Sequence, residues 1–144
     1  MEMTKERLAT YRSKKEEIAE LEEKLKSLSE DDSFICSSVI NNYTSGYPIP
    51  QAVVGMDWKS YDRCKKQYIL RIADLKKECE SVEAYIEDIE DSMIRRIFRM
   101  YFLEGLSQKQ IGIYVHLDKS NISRKIDFFF KSQRTQQMQR YNNN

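Results

Sequence analysis

Apolar positions along the chain fall into three successive patterns. From Thr4, a good N-cap, Tyr11, Ile18, Leu21, Leu25 and Leu28 step in threes and fours, with Lys14 filling one expected slot. That spacing predicts a helix running to about Ser29 with a narrow, heptad-like seam. Glu20 to Lys24 and Glu22 to Lys26 are spaced for favourable i,i+4 pairs. After an interruption, Asp57 is a second N-cap. Tyr61, Cys64, Tyr68, Ile72, Leu75, Cys79, Val82, Ile86, Ile89 and Met93 then continue one stripe in steps of four and three. A stripe sustained this long is a coiled-coil signal, and two such rods predict an antiparallel coiled-coil hairpin. Their narrow seams bury little, so a second chain could complete a four-helix bundle. From about Ser92 the apolar face widens through Ile94, Ile97, Phe98, Tyr101 and Phe102, leaving Arg95, Arg96 and Arg99 outside it for phosphates or water.

The third pattern is two short helices joined by a tight turn. Gly105 suits the left-handed C′ position that ends a helix. Ser107 then opens the next helix with Gln110 three residues on, a capping box, and Leu106 and Ile111 take the staple positions. Asp118 repeats the N-cap eleven positions later, with Leu117 and Ile122 around it. Ile111, Val115, Leu117, Ile122, Ile126 and Phe129 would face inward. Lys119, Ser120, Ser123, Arg124, Asp127 and Lys131 would then line the outer side of the second helix. Gly112 sits mid-helix, where glycine costs about 1 kcal/mol against alanine, which is reasonable if the next helix crosses too closely for a side chain. Three adjacent phenylalanines, 128 to 130, cannot all face one way. Phe129 and Phe130 are expected to join the core with Ile126, and Phe128 to stay partly exposed.

Residues 30–56 separate the two rods and include Phe34, Ile35, Cys36, Val39, Ile40, Tyr43, Tyr47, Ile49, Val53 and Val54. The stretch is too long for a helical turn and too apolar for a loose linker. A loop folded over the hairpin tip, burying its own side chains, is the plainer reading. A knob for a second protomer or another protein is the alternative. The run Tyr85 to Asp91 is acidic on its outer side and reads as a solvated face; imitation of nucleic acid or docking against the basic half are the sharper alternatives. Residues 132–144 form a polar tail, expected to extend the last helix briefly and then fray.

Charge divides along the same lines. Residues 1–93 carry 14 Lys/Arg against 20 Asp/Glu, a balance of −6, and residues 94–144 carry 10 against 3, a balance of +7; together these make the whole-chain +1. A basic end on an acidic handle suggests a polyanion partner. No apolar run reaches the length of a membrane span, and the first residues lack a signal peptide's hydrophobic stretch. Cysteines 36, 64 and 79 show no CxxC spacing, and the single histidine, His116, falls in the predicted turn. Neither a metal site, a cofactor nor an enzyme is expected: histidine–nucleophile pairing, a glycine-rich phosphate loop and a ligand cluster are all missing from the sequence. Reduced thiols in a cytoplasm are the default.

Residues 93 to 131 resemble the helix-turn-helix of sigma-70 region 4. The likeness rests on Arg-Met-Tyr-Phe-Leu-Glu-Gly-Leu-Ser-Gln-Lys-Gln-Ile-Gly at 99–112 and Asp-Lys-Ser-Asn-Ile-Ser-Arg-Lys-Ile at 118–126. With a helical coil in front, the chain is similar to small phage transcriptional regulators of the ArpU/RinA kind. The family commonly has alanine at the position of Gly112 and glycine at that of His116, a turn position favouring positive φ.

The resemblance implies an all-α chain in three parts: a coiled-coil hairpin over 1–92 that oligomerises, a DNA-binding domain over 93–131, and the tail 132–144. It implies a transcriptional regulator of phage or prophage genes in the bacterial host cytoplasm, lacking a sigma factor's promoter-melting region. Double-stranded DNA is the expected partner, with a homodimer or higher oligomer formed through the coil and host RNA polymerase as a further contact. The helix 119–131 would enter the major groove, with Lys119, Ser120, Asn121, Ser123 and Arg124 nearest the base edges. Lys109, Lys125, Lys131 and Arg134 would neutralise phosphates. A DNA-packaging recognition subunit and a module contacting polymerase without DNA are the other classes the sequence allows.

Overall fold

The computed structural model describes residues 2–143 and is predominantly helical. In chain order the elements are α1 (Lys5–Ala9), α2 (Tyr11–Lys26), two single 3-10 turns at Leu28–Glu30 and Asp32–Phe34, β1 (Ile35–Asn42), β2 (Ile49–Met56), α3 (Trp58–Glu87), α4 (Ser92–Phe98), a π-turn at Arg99–Leu103, α5 (Gln108–Val115) and α6 (Lys119–Asn142). The chain divides into two compact units, Met1–Glu17 with Leu75–Asn144, and Ile18–Asp74.

In the first unit, Thr4 caps α1 as expected, accepting from the Arg7 amide at 3.2 Å. The helix expected from Thr4 to about Ser29 is instead interrupted at Thr10, whose hydroxyl donates to the Arg7 carbonyl at 3.0 Å. Such back-bonding competes with the helical ladder and bends it. Leu8, one step of three before Tyr11, extends the seam toward the N-terminus and is fully buried. Residues 7–15 lie beside 78–83. The Arg7 guanidinium donates to both Glu78 carboxylate oxygens, at 2.7 and 2.9 Å, and the Tyr11 hydroxyl donates to Glu83.

Helix α3 ends at Glu87, and Asp91 explains why the next helix starts afresh. Its carboxylate accepts from the amides of Met93 and Ile94 at 2.8 and 3.2 Å, a side-chain cap that replaces intrahelical bonds. Arg95 donates to the Ile89 carbonyl at 2.8 Å, satisfying an acceptor that the break exposes. Arg99 pairs with Glu87 at 2.6 Å. Two of the three arginines expected to stand free are therefore bound within the chain. The acidic run is likewise not wholly a solvated face.

The core of this unit contains Leu8, Tyr11, Cys79, Val82, Ile86, Ile89, Ile97, Phe98, Phe102, Ile111, Val115, Ile122 and Ile126. Phe98 is its aromatic hub, edge-on to Phe102 and Phe129 at 5.2 and 4.8 Å and stacked on Phe130 at 5.6 Å. Pairs in these geometries contribute about 0.5–1.5 kcal/mol each beyond their area. Phe128 is left outside, 71% exposed.

The second unit corrects the reading of residues 30–56. They are not a loop covering its own side chains but a β-hairpin, with β1 antiparallel to β2 in the register Ile35↔Met56 through Asn42↔Ile49. The Gly46 amide donates to the Tyr43 carbonyl at 3.0 Å, and Gly46 takes φ +83 in the turn. Alternation puts Ile35 and Val54 on one face and Ile49 on the other, and they are 53%, 69% and 51% exposed. Both faces of the ribbon are thus open; the side chains of Val39, Ile40 and Val53 lie outside the described residues. The hairpin base is tied by the Asp57 amide donating to the Phe34 carbonyl at 2.7 Å, and by Phe34 edge-on to Tyr61 at 5.7 Å. Asp57 caps α3 as expected, accepting from the Ser60 amide and hydroxyl at 3.1 and 2.7 Å. Leu28, Ile18 and Ile72 are the buried apolar side chains described in this unit.

The tail expectation also changes: α6 continues through Asn142. Gln, Arg and Met, good helix formers, fill most of residues 132–142, and the helix is held near the start of the extension and just before it. The Tyr85 hydroxyl donates to Gln133 at 2.6 Å, and Lys5 pairs with Asp127 at 3.0 Å.

Candidate nucleic-acid interface

Gly105 ends the preceding helical segment with φ +73, which is what calls for glycine; the Arg12 guanidinium also lies where a Cβ would stand, an obstacle that a flexible side chain can yield. The capping box at Ser107 is formed in full. Ser107 Oγ accepts from the Gln110 amide at 3.2 Å, and Gln110 Oε1 accepts from the Ser107 amide at 3.0 Å.

Helix α5 ends at His116 in the left-handed region, φ 59 and ψ 43. The Leu117 amide then turns back to the Gly112 carbonyl at 3.0 Å. This reversal brings the Leu117 carbonyl to within 2.4 Å of where a Gly112 Cβ would stand, while Ile122 Cδ1 would be 3.6 Å away. Gly112 is therefore demanded by the backbone of the turn, not mainly by the following helix. Asp118 holds the N-cap backbone position of α6 but makes no side-chain cap bond, so the second expected cap is only half realised.

Ile122 and Ile126 anchor α6 inward, which sends the opposite side of the helix to solvent. Lys119, Ser120 and Arg124 are exposed; Asn121, Ser123 and Lys125 are half-buried. Lys109 is exposed near the start of α5, and Lys131 and Arg134 are exposed further along α6. The expected base-edge residues thus share the first two turns of one helix.

Asn121, Arg124 and Lys125 are also brought together at an open recess of about 660 Å³, whose apolar wall is Ile94, Leu117, Phe128 and Phe129. Lys131 and Arg134 belong to a different place. They line a second recess with Glu2, Glu6 and Asp127, where the N-terminal segment comes against α6. Acidic neighbours there compete with any phosphate.

Sequence reasoning missed Phe128 as part of a recess and missed Lys5, which neutralises Asp127 on the outer side of α6. Alternation of apolar positions cannot reveal either, because the partners lie far away in sequence.

Charge is held locally in several places that bear on the frame under α6. The Glu78 carboxyl is pulled below its usual range, chiefly by the hydrogen bonds from Arg7. Burial, and then the bond to Glu83, pushes the Tyr11 hydroxyl well above its ordinary range. Burial likewise raises the Cys79 thiol. None of these groups belongs to the outer side of α6. Glu78 and Tyr11 instead tie residues 7–11 to 78–83. No helix among the described residues is long and apolar enough to cross a membrane. No protein-family model, curated protein or solved structure matches the chain.

Proposed function

We propose that this chain is a sequence-specific DNA-binding transcriptional regulator whose α5 and α6 act as a helix-turn-helix of the sigma-70 region 4 kind. The observation that carries the reading is the turn itself. A capped two-helix unit with left-handed His116 and a close Gly112–Leu117 approach presents Lys119, Ser120 and Arg124 outward from a helix anchored by Ile122 and Ile126. The +7 balance of residues 94–144 supports a polyanionic partner. A chain of the ArpU/RinA kind, acting on phage or prophage genes in a host cytoplasm, is the setting the sequence resemblance suggests. On this reading residues 1–92 supply an antiparallel helical hairpin and the pairing of protomers.

In the groove, Arg124 would read guanine through its two parallel donors and Asn121 adenine, each contributing about 1–3 kcal/mol of discrimination. Lys119, Ser120 and Ser123 would flank them. Lys109 and Lys125 would meet phosphates, making affinity fall steeply with salt, whereas Lys131 and Arg134, beside Glu2, Glu6 and Asp127, would do so only in competition with those carboxylates. The test is selection of bound duplexes from a random pool, followed by Arg124→Ala. The variant should lose about tenfold to a hundredfold on the selected duplex and much less on random DNA. Equal losses on both would reduce Arg124 to a phosphate contact and remove the basis for base reading.

A second reading is favoured by the recess beside Phe128. An exposed aromatic next to Ile94, Leu117 and Phe129 suits a protein contact, such as a segment of RNA polymerase, better than a phosphate backbone. Gel shifts at two salt concentrations separate the readings: a pure protein-interaction module shifts no duplex at either.

A further inference from the structure

We infer that β1 is the edge along which two copies of this chain pair, antiparallel about a twofold axis, to form a four-stranded sheet. The inference does not depend on what α6 binds. Residues 33–56, lying between Asp32 and Asp57, contain no charged side chain, although a third of the chain is charged. The hairpin they form has only two strands, with exposed apolar side chains on both faces. A lone two-stranded ribbon is marginal in water and gains stability from added strands.

The two edges differ. Natural sheet edges are guarded by lysine, proline or bulges. β2 carries Pro50, opposite Asn41, and proline is tolerated in a sheet where its missing donor faces away from the ladder. β1 has neither a proline nor a charge from Ile35 to Asn42, so its outer row of amides and carbonyls is open and unguarded. A neutral strand offers no counter-charge to a polyanion, and a charged peptide would lose hydration there without compensation. A second copy supplies the matching neutral strand, and antiparallel pairing about a twofold uses the same residues on both sides.

Sedimentation equilibrium of the full chain tests this. The wild-type protein should associate to a dimer between about 1 and 100 μM, the range open to interfaces of this size. Cys36→Lys with Asn41→Lys on β1 should weaken dimerisation at least about tenfold with helical circular dichroism unchanged, because lysines on an edge strand lose hydration when a second strand is added and so oppose pairing. Gln51→Lys with Gly55→Lys on β2, where an added Cβ at 55 meets nothing within 4 Å, should leave it within about threefold, since those positions lie a strand away from the partner. Amide exchange in residues 35–42 of the wild-type protein should slow as concentration rises. A monomer throughout, or exchange in β1 independent of concentration, overturns the inference. So does a dimer that survives the β1 charges but is lost with Ile69→Lys and Leu70→Lys on α3.

Discussion

A Cβ on Gly112 would lie 2.4 Å from the carbonyl oxygen of Leu117, five residues later, and no side-chain rearrangement can relieve that contact because the obstacle is backbone. Helix propensity and tertiary packing therefore pull in opposite directions at one residue. Gly112→Ala gains about 1 kcal/mol of intrinsic helix preference but must open the turn. The expected net result is a loss of about 1–3 kcal/mol in urea unfolding, in the range of other overpacked positions. A stabilised variant would mean the turn is looser than the structure shows.

His116 behaves in the opposite sense. Its left-handed backbone costs a non-glycine residue about 1–2 kcal/mol, which glycine avoids while giving up some entropy in the unfolded chain. His116→Gly should raise stability by up to about 1 kcal/mol. Unfolding midpoints at constant m-value check it.

Glu78 gives the frame an acid-sensitive clamp. Its carboxyl is held below the ordinary range by Arg7, so the folded state favours the ionised form. The stabilisation is complete above the unfolded carboxylate pKa of about 4.3 and is lost as pH falls through the lower, folded value. Glu78→Gln should cost about 1–2 kcal/mol at neutral pH and flatten the acid limb of the stability curve. An unchanged acid limb would show that the pair is not maintained in solution.

The Tyr11 hydroxyl titrates at the other end of the scale. Because burial raises it, the folded state favours the protonated phenol. That contribution is present below the unfolded tyrosine pKa of about 10 and disappears as pH rises toward the folded value. Tyr11→Phe should therefore narrow the stability difference between pH 9 and alkaline solution, and thermal unfolding at a series of pH values above about 9 reads this directly.

Adjacent phenylalanines on α6 should separate cleanly. Phe128 is exposed, and its replacement by serine is expected to shift stability by no more than about 0.5 kcal/mol. Ile126→Ala, about half a turn away and buried, should cost about 2–5 kcal/mol. Comparable losses at both sites would mean the Phe128 recess is closed in solution.

Much of the helical frame could be read from spacing alone. The stripe from Tyr61 to Ile86, the inward set Ile111, Val115, Ile122 and Ile126, the capping box at Ser107 and the left-handed Gly105 are local consequences of helical periodicity and backbone sterics, and each is seen in the structure, although the stripe's last members, Ile89 and Met93, fall beyond the end of α3. These features need only residues a turn or two apart to express themselves.

What tertiary structure alone decided was everything set by a partner distant in sequence. Strand pairing turned 35–56 into an open ribbon, since β register depends on two segments finding each other and not on either one's period. Tyr85 anchored, at Gln133, an α6 much longer than its polar tail suggested. Ion pairing engaged Arg99 with Glu87, and a turn carbonyl, not a neighbouring helix, made glycine necessary at 112. Local pattern dictates which face of an element is apolar; only the folded chain determines what that face and its charged surroundings meet.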